Sequence, residues 1–546
     1  MSAASPAQSA ALPAPSVDLE LRPVQSGPPS APRSRFFGAW RILPILGAGL
    51  ALRMLLAYVL YPNQGMAGDL GLFGSWASAL ARTGPGSFYA SSSSANYPPG
   101  YLYVLWLIGS LGGGVGLLKL PAILADVAIG ALLYAGGRRW LGERRALLAA
   151  ALYLFVPVTW YDSALWGQVD AVGAMVMLAA VLLLAEGWDE PAAALAGLAV
   201  LVKPQDAVVL VVLLPVLVRR HLVAIGSGPV PVLGRRLSRL NRRLGGLLTA
   251  QGPVRLATSG IALIGVVVLG ALPFDIVRFA PASLQDVPVM AQIAGLVGLV
   301  VADAGQYSVL SANAFNAWAL VGPQPLASLV ATGGSWTPDS MILFGLHAST
   351  VGTALLVGVG LLVSGGLLLR RADRVAILTG LALAAFAFYA LPTRVHERYL
   401  LPFFAPAALL AAAWLPGAIS YVAVALLNAA NLHAVLVGPH VVGGGGGAGG
   451  RGGGAPGGQV GPGVGGVPGG GLGVGPGGPG GGPGGGRSMS LPFPDLFSNA
   501  TAVTIIAVGQ TLGLVALVVA WLVLLARRPA DPKPAGTADG AGIVTG

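Results

Sequence analysis

Long apolar runs, broken by short polar segments, dominate the chain from about residue 42 onward. Several runs reach the roughly 17–25 residues that a helix needs to cross a bilayer. A transmembrane β-barrel would instead show alternating segments of about ten residues. The pattern therefore predicts an all-α polytopic membrane protein with about 11–13 spanning helices. We expect spans at about 42–60, 117–137, 146–160, 169–186, 192–202 paired with 204–218, 256–273, 341–369, 374–391, 399–415, 418–437 and 502–526.

Three segments lie outside this pattern. Residues 1–36 are rich in Pro, Ala and Ser and hold no apolar core, so they predict a disordered cytoplasmic tail rather than a signal peptide. Residues 438–500 are mostly Gly with scattered Pro, without a Gly-X-Y period or a phosphate-loop motif, and predict a flexible extracytoplasmic linker. The remaining units are a transmembrane module at 37–437, a last transmembrane helix at 501–528 and a cytoplasmic tail at 529–546.

Charged residues are scarce and unevenly placed. They make up 9% of the chain, against about 25% in soluble domains, and the mean hydropathy is +0.76. With a cytoplasmic N-terminus and alternating spans, 22 of the 31 Lys and Arg fall in inner segments and seven in outer ones, as the positive-inside rule expects. The net charge of +11 thus reflects topology and attraction to anionic lipid, and indicates no nucleic-acid partner. Without cysteine, disulfide and thiolate chemistry is excluded.

Two outer loops and one short apolar segment remain between the predicted spans. The loops cover residues 61–116 and 274–340. Residues 100–114 are apolar but short, and a span there would move a cluster of four Arg residues to the outer side. We therefore expect Tyr101–Leu111 to form a helix that lies in or dips into the outer leaflet.

Asp69 follows the first predicted span and precedes an apolar pattern typical of a helix along the membrane surface. A carboxylate at the start of such a helix, against an apolar surface, is partly desolvated and can act as a general base. The alternative is a solvated loop acid.

Two aromatic motifs follow. Tyr97-Pro98-Pro99-Gly100-Tyr101 is either a helix-entry turn or a rigid turn that folds the first outer loop back over the membrane. Trp166-Gly167-Gln168-Val169-Asp170 opens a predicted span. There Asp170 is either an acid stabilised by the helix dipole or, with Gln168, a ligand of sugar hydroxyls, while Trp166 stacks on a sugar face.

Two basic motifs mark the ends of later apolar segments. Lys203-Pro204-Gln205-Asp206 breaks an apolar hairpin, and its lysine either snorkels to headgroups or meets a phosphate, with Asp206 as one candidate partner. Arg394-Val395-His396-Glu397-Arg398 is the densest outer cluster of ionisable groups. Its two guanidinium groups suit bidentate phosphate binding, with interfacial anchoring as the alternative. Ionisable groups at membrane depth are costly and usually functional.

Weaker signals complete the set. Asn313 and Asn316 fall in a short predicted outer helix with polar groups available to a sugar. Asp126 lies inside a predicted span, where we expect it to be paired or protonated and without a catalytic role. The five His residues show no ligand spacing, so no metal site is predicted.

Taken in order, these motifs resemble the GT-C superfamily of integral membrane glycosyltransferases, which use lipid-phosphate-linked sugars. The pattern is similar to bacterial multi-spanning proteins with Tyr-Pro-Pro, Trp-Gly-Gln-Val-Asp, Lys-Pro-Gln and His-Glu-Arg-Tyr motifs, and more distantly to dolichyl-phosphate-glucose-dependent glucosyltransferases. The resemblance covers about residues 40–415. It implies that Asp69 is the catalytic base and that His396, Glu397 and Arg398 lie near the donor phosphate. Such enzymes often carry two acids together in the first outer loop, whereas Gly68-Asp69-Leu70 offers one.

The implied reaction moves a hexose, such as mannose or glucose, from a polyprenyl-phosphate donor to a glycan, lipid or protein acceptor at the extracytoplasmic face. It inverts the anomeric configuration and uses no cofactor. The groups expected at the donor phosphate are Arg394, His396, Arg398 and Lys203. The groups expected at the sugar and acceptor are Tyr97, Trp166, Gln168, Asp170, Gln205, Glu397, Asn313 and Asn316.

Two other classes stay open at this point. Broken apolar segments also mark transporters of lipid-linked or small polar substrates, but transporter sites lie near the membrane midplane. The third class is a structural membrane protein without catalytic activity.

Overall fold

The computed structural model describes residues 39–92, 95–231, 235–305, 308–321, 337–437, 491 and 494–527. The predicted N-terminal tail, nearly all of the predicted glycine-rich linker and the predicted C-terminal tail at 529–546 lie outside these ranges.

Helices make up almost all the regular structure of the described residues. In the first half of the chain they are α1 Leu43–Met54, α2 Ala67–Thr83, α3 Phe88–Ser91, α4 Pro99–Ser110, α5 Val115–Trp140, α6 Glu143–Phe155, α7 Pro157–Trp160, α8 Asp170–Ala185, α9 Asp189–Val202, α10 Leu210–Val218, α11 Arg235–Arg243 and α12 Pro253–Ala271. In the second half they are α13 Pro288–Ala304, α14 Ala348–Leu369, α15 Arg374–Ala390, α16 Leu401–Ala411, α17 Leu415–Val437 and α18 Ala500–Ala526. Two short strands, β1 Ile342–Leu343 and β2 Leu346–His347, pair in an antiparallel hairpin.

Six helical segments of the described chain are long and apolar enough to cross a membrane. They are Trp40–Leu60, Val115–Trp140, Pro253–Ala271, Ala348–Leu369, Leu415–Val437 and Ala500–Ala526. A seventh consists of α6 and the segment Pro157–Trp166, bent by 49° where Pro157 interrupts the hydrogen-bond ladder. Shorter apolar helices, α8, α13, α15 and α16, lie among them. The predicted class, an all-α polytopic membrane protein, is confirmed.

Three predicted boundaries in the second half are corrected. The expected outer loop at 274–340 contains α13, whose apolar run is interrupted by few polar residues. The expected span at 341–369 starts only at Ala348, because residues 342–347 form the β-hairpin. The expected span at 399–415 is reduced to α16, since residues 393–400 are an irregular segment that enters the site described below.

The segment predicted as the first outer loop folds into packed helices, in agreement with the apolar pattern after Asp69. Helix α2 buries one face through Leu70, Phe73, Trp76, Ala77 and Leu80. Helix α4 packs so closely on it that a Cβ added to Gly109 would lie 2.0 Å from the Ala77 carbonyl oxygen. Glycine is therefore required at this crossing, and α2 is held in a fixed position relative to the bundle.

A buried ion pair joins the first two long helices. Arg53 Nε lies 2.8 Å from Asp126 Oδ2, and both side chains are fully buried. The guanidinium also donates to the carbonyl oxygens of Gly49 and Leu154, while Tyr153 donates to Asp126 Oδ1. The prediction that Asp126 is paired within its span is confirmed.

Candidate active site

Asp69 lies in the first turn of α2, where the helix dipole favours a negative charge. Its Oδ2 accepts a hydrogen bond from Trp166 Nε1 at 2.7 Å and another from Gln168 Nε2 at 2.6 Å. The Asp69 side chain is 25% exposed. The carboxylate is thus oriented by two neutral donors and still open to an approaching molecule.

Gly167 sets the direction of both donors. It ends the bent segment in the left-handed conformation, with φ of 88°, which favours glycine. An added Cβ would also lie 2.8 Å from the side chain of Leu70 in α2. The turn and the close packing on α2 together place Trp166 and Gln168 on the same carboxylate oxygen.

A second ionic group lies beside the first. Lys203 Nζ is 2.5 Å from Asp170 Oδ1, and Gln205 Nε2 donates to the same oxygen at 2.7 Å. The ammonium group also faces the rings of Tyr97 and Tyr399, at 5.7 and 5.1 Å. Asp170 is the first residue of α8, so its predicted place at a helix N-terminus is confirmed. Lys203 pairs with Asp170 and not with Asp206, the partner suggested by the sequence.

The Tyr-Pro-Pro-Gly turn brings Tyr97 to this lysine. A Cβ at Gly100 would lie 2.6 Å from the Leu201 carbonyl oxygen at the end of α9. Glycine therefore allows α4 to start directly against the chain segment that leads into Lys203. The motif is a helix entry and also a packing contact between the first outer loop and the site.

Arg398 connects the two groups. Its guanidinium lies 3.9 Å from Asp69 Oδ2 and 3.7 Å from Asp170 Oδ2, and it donates to Glu397 Oε1 at 2.8 Å. It also faces the Trp166 ring at 5.9 Å. The two longer separations exceed hydrogen-bond distance. Arg398 therefore attracts both aspartates without being hydrogen-bonded to either.

Several buried polar atoms near Arg398 or Lys203 have no hydrogen-bond partner among the described residues. They are Arg398 Nε, Asp170 Oδ2, Gln205 Oε1 and Glu397 Oε2, together with both carboxylate oxygens of Asp162 and of Asp206. Buried polar groups in folded proteins are nearly always hydrogen-bonded, so these atoms keep unused hydrogen-bonding capacity within the described part of the chain.

Burial and the charge of Arg398 together shift the pKa values of Asp69, Glu397 and His396. Burial alone would raise the pKa of Asp69, but Arg398 and the hydrogen bonds from Trp166 and Gln168 outweigh it and hold the pKa below its ordinary value. Burial raises the pKa of Glu397, against the influence of Arg398. Burial and the Arg398 charge hold the pKa of His396 well below its usual range. At neutral pH Asp69 is therefore ionised and His396 is neutral.

Other predicted residues have structural contacts. Arg394 adopts a left-handed backbone, with φ of 68°, and its side chain binds Asp339 Oδ2 at 2.5 Å and the Ala304 carbonyl at 2.6 Å. Asn316 donates to the Tyr389 carbonyl and caps the turn that contains Trp318. Arg394 thus connects α13 and the segment after it to the 393–400 segment. Both polar groups of the buried Asn316 amide form hydrogen bonds within the protein.

Asn313 and His396 lie against each other through their backbones. Residues 312 and 313 bridge to His396, and Asn431 donates to the Asn313 carbonyl at 2.9 Å. These contacts hold the strand-like segment 308–314 beside the His-Glu-Arg-Tyr motif.

Two motif residues contact Asp69 directly. Trp166 and Gln168 are each 1% exposed, and both donate hydrogen bonds to the Asp69 carboxylate. Tyr399 and Asp339 were not among the predicted site residues. Tyr399 directly follows the predicted cluster and its ring faces Lys203, whereas nothing in the sequence near Asp339 distinguishes it. Within the part of the chain that the structure describes, no group of three or more His, Asp or Glu side chains is placed to hold a metal ion.

Part of the chain matches the model of a known protein family. Residues 96–233 match the model of the family described as dolichyl-phosphate-mannose-protein mannosyltransferase. The matched part contains the Tyr-Pro-Pro, Trp-Gly-Gln-Val-Asp and Lys-Pro-Gln motifs, and ends before the Arg398 segment. This match supports the resemblance to the GT-C superfamily, and with it the general class of membrane glycosyltransferases. No curated protein sequence matches the chain.

Three solved structures align with the chain at low similarity. One is ArnT from Cupriavidus metallidurans bound to undecaprenyl phosphate, with 14% identity, a TM-score of 0.39 and coverage of 72% of this chain and 71% of that one. Another is the apo oligosaccharyltransferase of Archaeoglobus fulgidus, with 16% identity, a TM-score of 0.40 and coverage of 72% and 52%. The third is AglB from Archaeoglobus fulgidus with an inhibitory peptide and a dolichol-phosphate, with 14% identity, a TM-score of 0.36 and coverage of 73% and 52%. The alignment spans about half the length of the archaeal chains.

Proposed function

We propose that this protein transfers a sugar, a hexose such as mannose or glucose, from a polyprenyl-phosphate donor to a hydroxyl group of an acceptor at the extracytoplasmic membrane face. The observation that carries the proposal is the contact geometry of Asp69. An oriented, partly exposed carboxylate lies 3.9 Å from a guanidinium that is not hydrogen-bonded to it. A base and a phosphate-binding cation at this spacing suit attack by a hydroxyl on a carbon whose leaving group is a phosphate.

The reaction under this proposal has one displacement step. Asp69 accepts the proton of the acceptor hydroxyl, and the oxygen forms a bond to the anomeric carbon. The bond from that carbon to the phosphate oxygen breaks, and its electron pair stays on the released polyprenyl phosphate. Attack opposite the phosphate inverts the configuration. Asp69 then loses its proton to water, which its exposed quarter allows.

Arg398 links donor binding to the strength of the base. In the structure its charge stabilises ionised Asp69 and lowers the pKa of that carboxyl. A bound donor phosphate would compete for the same guanidinium, because charge-assisted contacts to phosphate are strong and bidentate. Withdrawal of Arg398 toward the phosphate would raise the pKa of Asp69 and make it a better proton acceptor. It would also stabilise the negative charge that develops on the leaving group.

Lys203 has a supporting role. Lys203 is 3% exposed. Its positive charge is balanced by the Asp170 carboxylate, so it is not free to bind a phosphate strongly. The pair fixes the start of α8, which carries Asp170 Oδ2 toward Arg398. Arg394 is already bound to Asp339 and to the Ala304 carbonyl. Arg398 is therefore the main candidate to bind the donor phosphate, with the neutral His396 beside it.

The experiment that tests the function uses the purified full-length chain and a panel of synthetic polyprenyl-phosphate hexoses. Mass spectrometry follows the free polyprenyl phosphate and the glycosylated acceptor, with the Asp69→Asn variant as the matched control. We expect release of lipid phosphate from at least one donor by the parent protein and a large loss in the variant. Uptake of an intact donor into proteoliposomes without chemical conversion would instead identify a transporter.

A further inference from the structure

A basic segment connects α10 to α12 at the end of the molecule where both helices leave the bundle. Residues 219–255 contain eight Arg and no Asp or Glu. Within it lies α11, which spans Arg235–Arg243. None of the described residues of this segment contacts the site around Asp69.

Both ends of the connection are fixed by buried contacts. Arg220 forms an ion pair with Asp189 and donates to the Leu184 carbonyl at 3.1 Å. At the other end the Gly252 backbone N–H donates to His221 Nδ1 at 3.2 Å. Arg255 binds the Glu190 carboxylate through Nε at 3.1 Å. The segment therefore leaves and rejoins the bundle at positions fixed by these contacts.

The turn after α11 is folded on itself. Asn241 Oδ1 accepts from the Leu248 backbone N–H at 2.9 Å, and the Gly246 N–H donates to the Asn241 carbonyl at 2.8 Å. Gln251 donates to the Gly228 carbonyl at 3.0 Å. These contacts give the helix and its turn a structure of their own.

Two adjacent rows of side chains on α11 and its turn are exposed. Leu237, Leu240 and Leu244 have exposed fractions of 44%, 47% and 48%, and their spacing of three and four residues places them in one row. Arg239, Arg242 and Arg243 are exposed beside them. A leucine row next to an arginine row is the pattern of a helix that lies in a membrane interface.

We infer that the face formed by Leu237, Leu240, Leu244, Arg239, Arg242 and Arg243, here called the basic face, binds anionic phospholipid headgroups where α10 and α12 end. The leucines enter the acyl boundary and the guanidinium groups bind lipid phosphates. Charge complementarity selects an anionic over a zwitterionic lipid. A nucleic-acid surface would need no exposed leucine row. This inference is independent of the proposed function.

Binding is tested by native mass spectrometry of the full-length protein in detergent, titrated with phosphatidylglycerol or phosphatidylcholine. The test variant carries Arg239→Gln, Arg242→Gln and Arg243→Gln. The matched control removes three exposed arginines elsewhere, Arg82→Gln, Arg144→Gln and Arg278→Gln. We expect the test variant to lose about 100-fold in affinity for phosphatidylglycerol, since each of the three arginines near an anionic surface contributes about a fivefold factor. The control should lose much less.

A second measurement does not depend on the folding of that variant. The chain has no cysteine, so Leu240→Cys and Arg243→Cys each give a single site for an environment-sensitive fluorophore in nanodiscs. We expect the label at 240 to be protected from an aqueous quencher when phosphatidylglycerol is present, and the label at 243 to stay accessible. Equal quenching at both positions overturns the inference. So does equal phosphatidylglycerol affinity in the test and control variants, or a protein that co-purifies stoichiometrically and covers this face.

Discussion

Gln168 donates a hydrogen bond of 2.6 Å to Oδ2 of Asp69, although 99 positions separate the two residues in the chain. Trp166 donates to the same oxygen, so the turn at Gly167 positions two donors on one carboxylate in helix α2. The proposed base is therefore oriented by residues that come from a different membrane segment, and its protonation depends on them.

The first prediction concerns the pH dependence of turnover. Gln168→Leu removes a donor that lowers the pKa of Asp69, so the pKa rises. Activity that requires ionised Asp69 is lost as pH falls through that pKa, and the acidic limb of the kcat profile should move to higher pH. Gln285→Leu, at an exposed position outside the site, should leave the limb in place. An unchanged limb in Gln168→Leu would show that this hydrogen bond does not tune the base.

The second prediction concerns stability within the bundle. Arg53→Met leaves Asp126 buried without its cation, and breaking a buried pair costs about 3–5 kcal/mol. Thermal unfolding followed by size-exclusion chromatography should show a large loss of Tm. The double variant Arg53→Met, Asp126→Leu should recover much of it, because no uncompensated charge remains. Arg139→Met serves as the comparison, since its pair with Glu186 is long at 3.8 Å and exposed, and such pairs contribute about 0–1 kcal/mol.

The third prediction concerns topology. The positive-inside count places the loop that carries Asp69 and the segment after α13 on the extracytoplasmic side. Single cysteines at Ala90 and Gly305 should react with an impermeant maleimide in intact cells, and a cysteine at Arg144 should react only after permeabilisation. All three positions are exposed in the structure. Protection at 90 or 305 in intact cells would contradict the assigned orientation.

The long helices could be predicted from apolar length alone, because a membrane leaves few alternatives for an apolar run of that size. Helix α13 could not, since its 17 residues lie between polar turns and the sequence there predicts a loop. The helix after Asp69 forms as the spacing of its apolar residues predicts, and those residues make up its buried face.

The sequence identified which residues form the site better than it identified which of them pair with each other. Ionisable groups at the ends of apolar segments pointed to Asp69, Asp170, Lys203 and Arg398, and the structure brings these four together. The pairing of Lys203 with Asp170 depends on how α8 and α9 pack, and the pairing of Arg394 with Asp339 depends on a left-handed backbone at residue 394. Tertiary geometry of this kind leaves no local mark in the sequence.

The central claim is that Asp69 is the base and Arg398 holds the donor phosphate, and one pair of variants tests it directly. Asp69→Asn keeps the size and polarity of the side chain but removes the proton acceptor, and lost base catalysis typically lowers the rate about 10²–10⁴-fold. Arg398→Ala removes a charge-assisted contact to the phosphate.

The decisive measurement is turnover and donor affinity of these two variants beside the parent protein, with a polyprenyl-phosphate hexose that the parent accepts. We expect Asp69→Asn to lose turnover while it retains donor affinity, and Arg398→Ala to lose donor affinity as well as turnover. Parent-like turnover in Asp69→Asn, or an equal loss of donor affinity in both variants, would contradict the assignment.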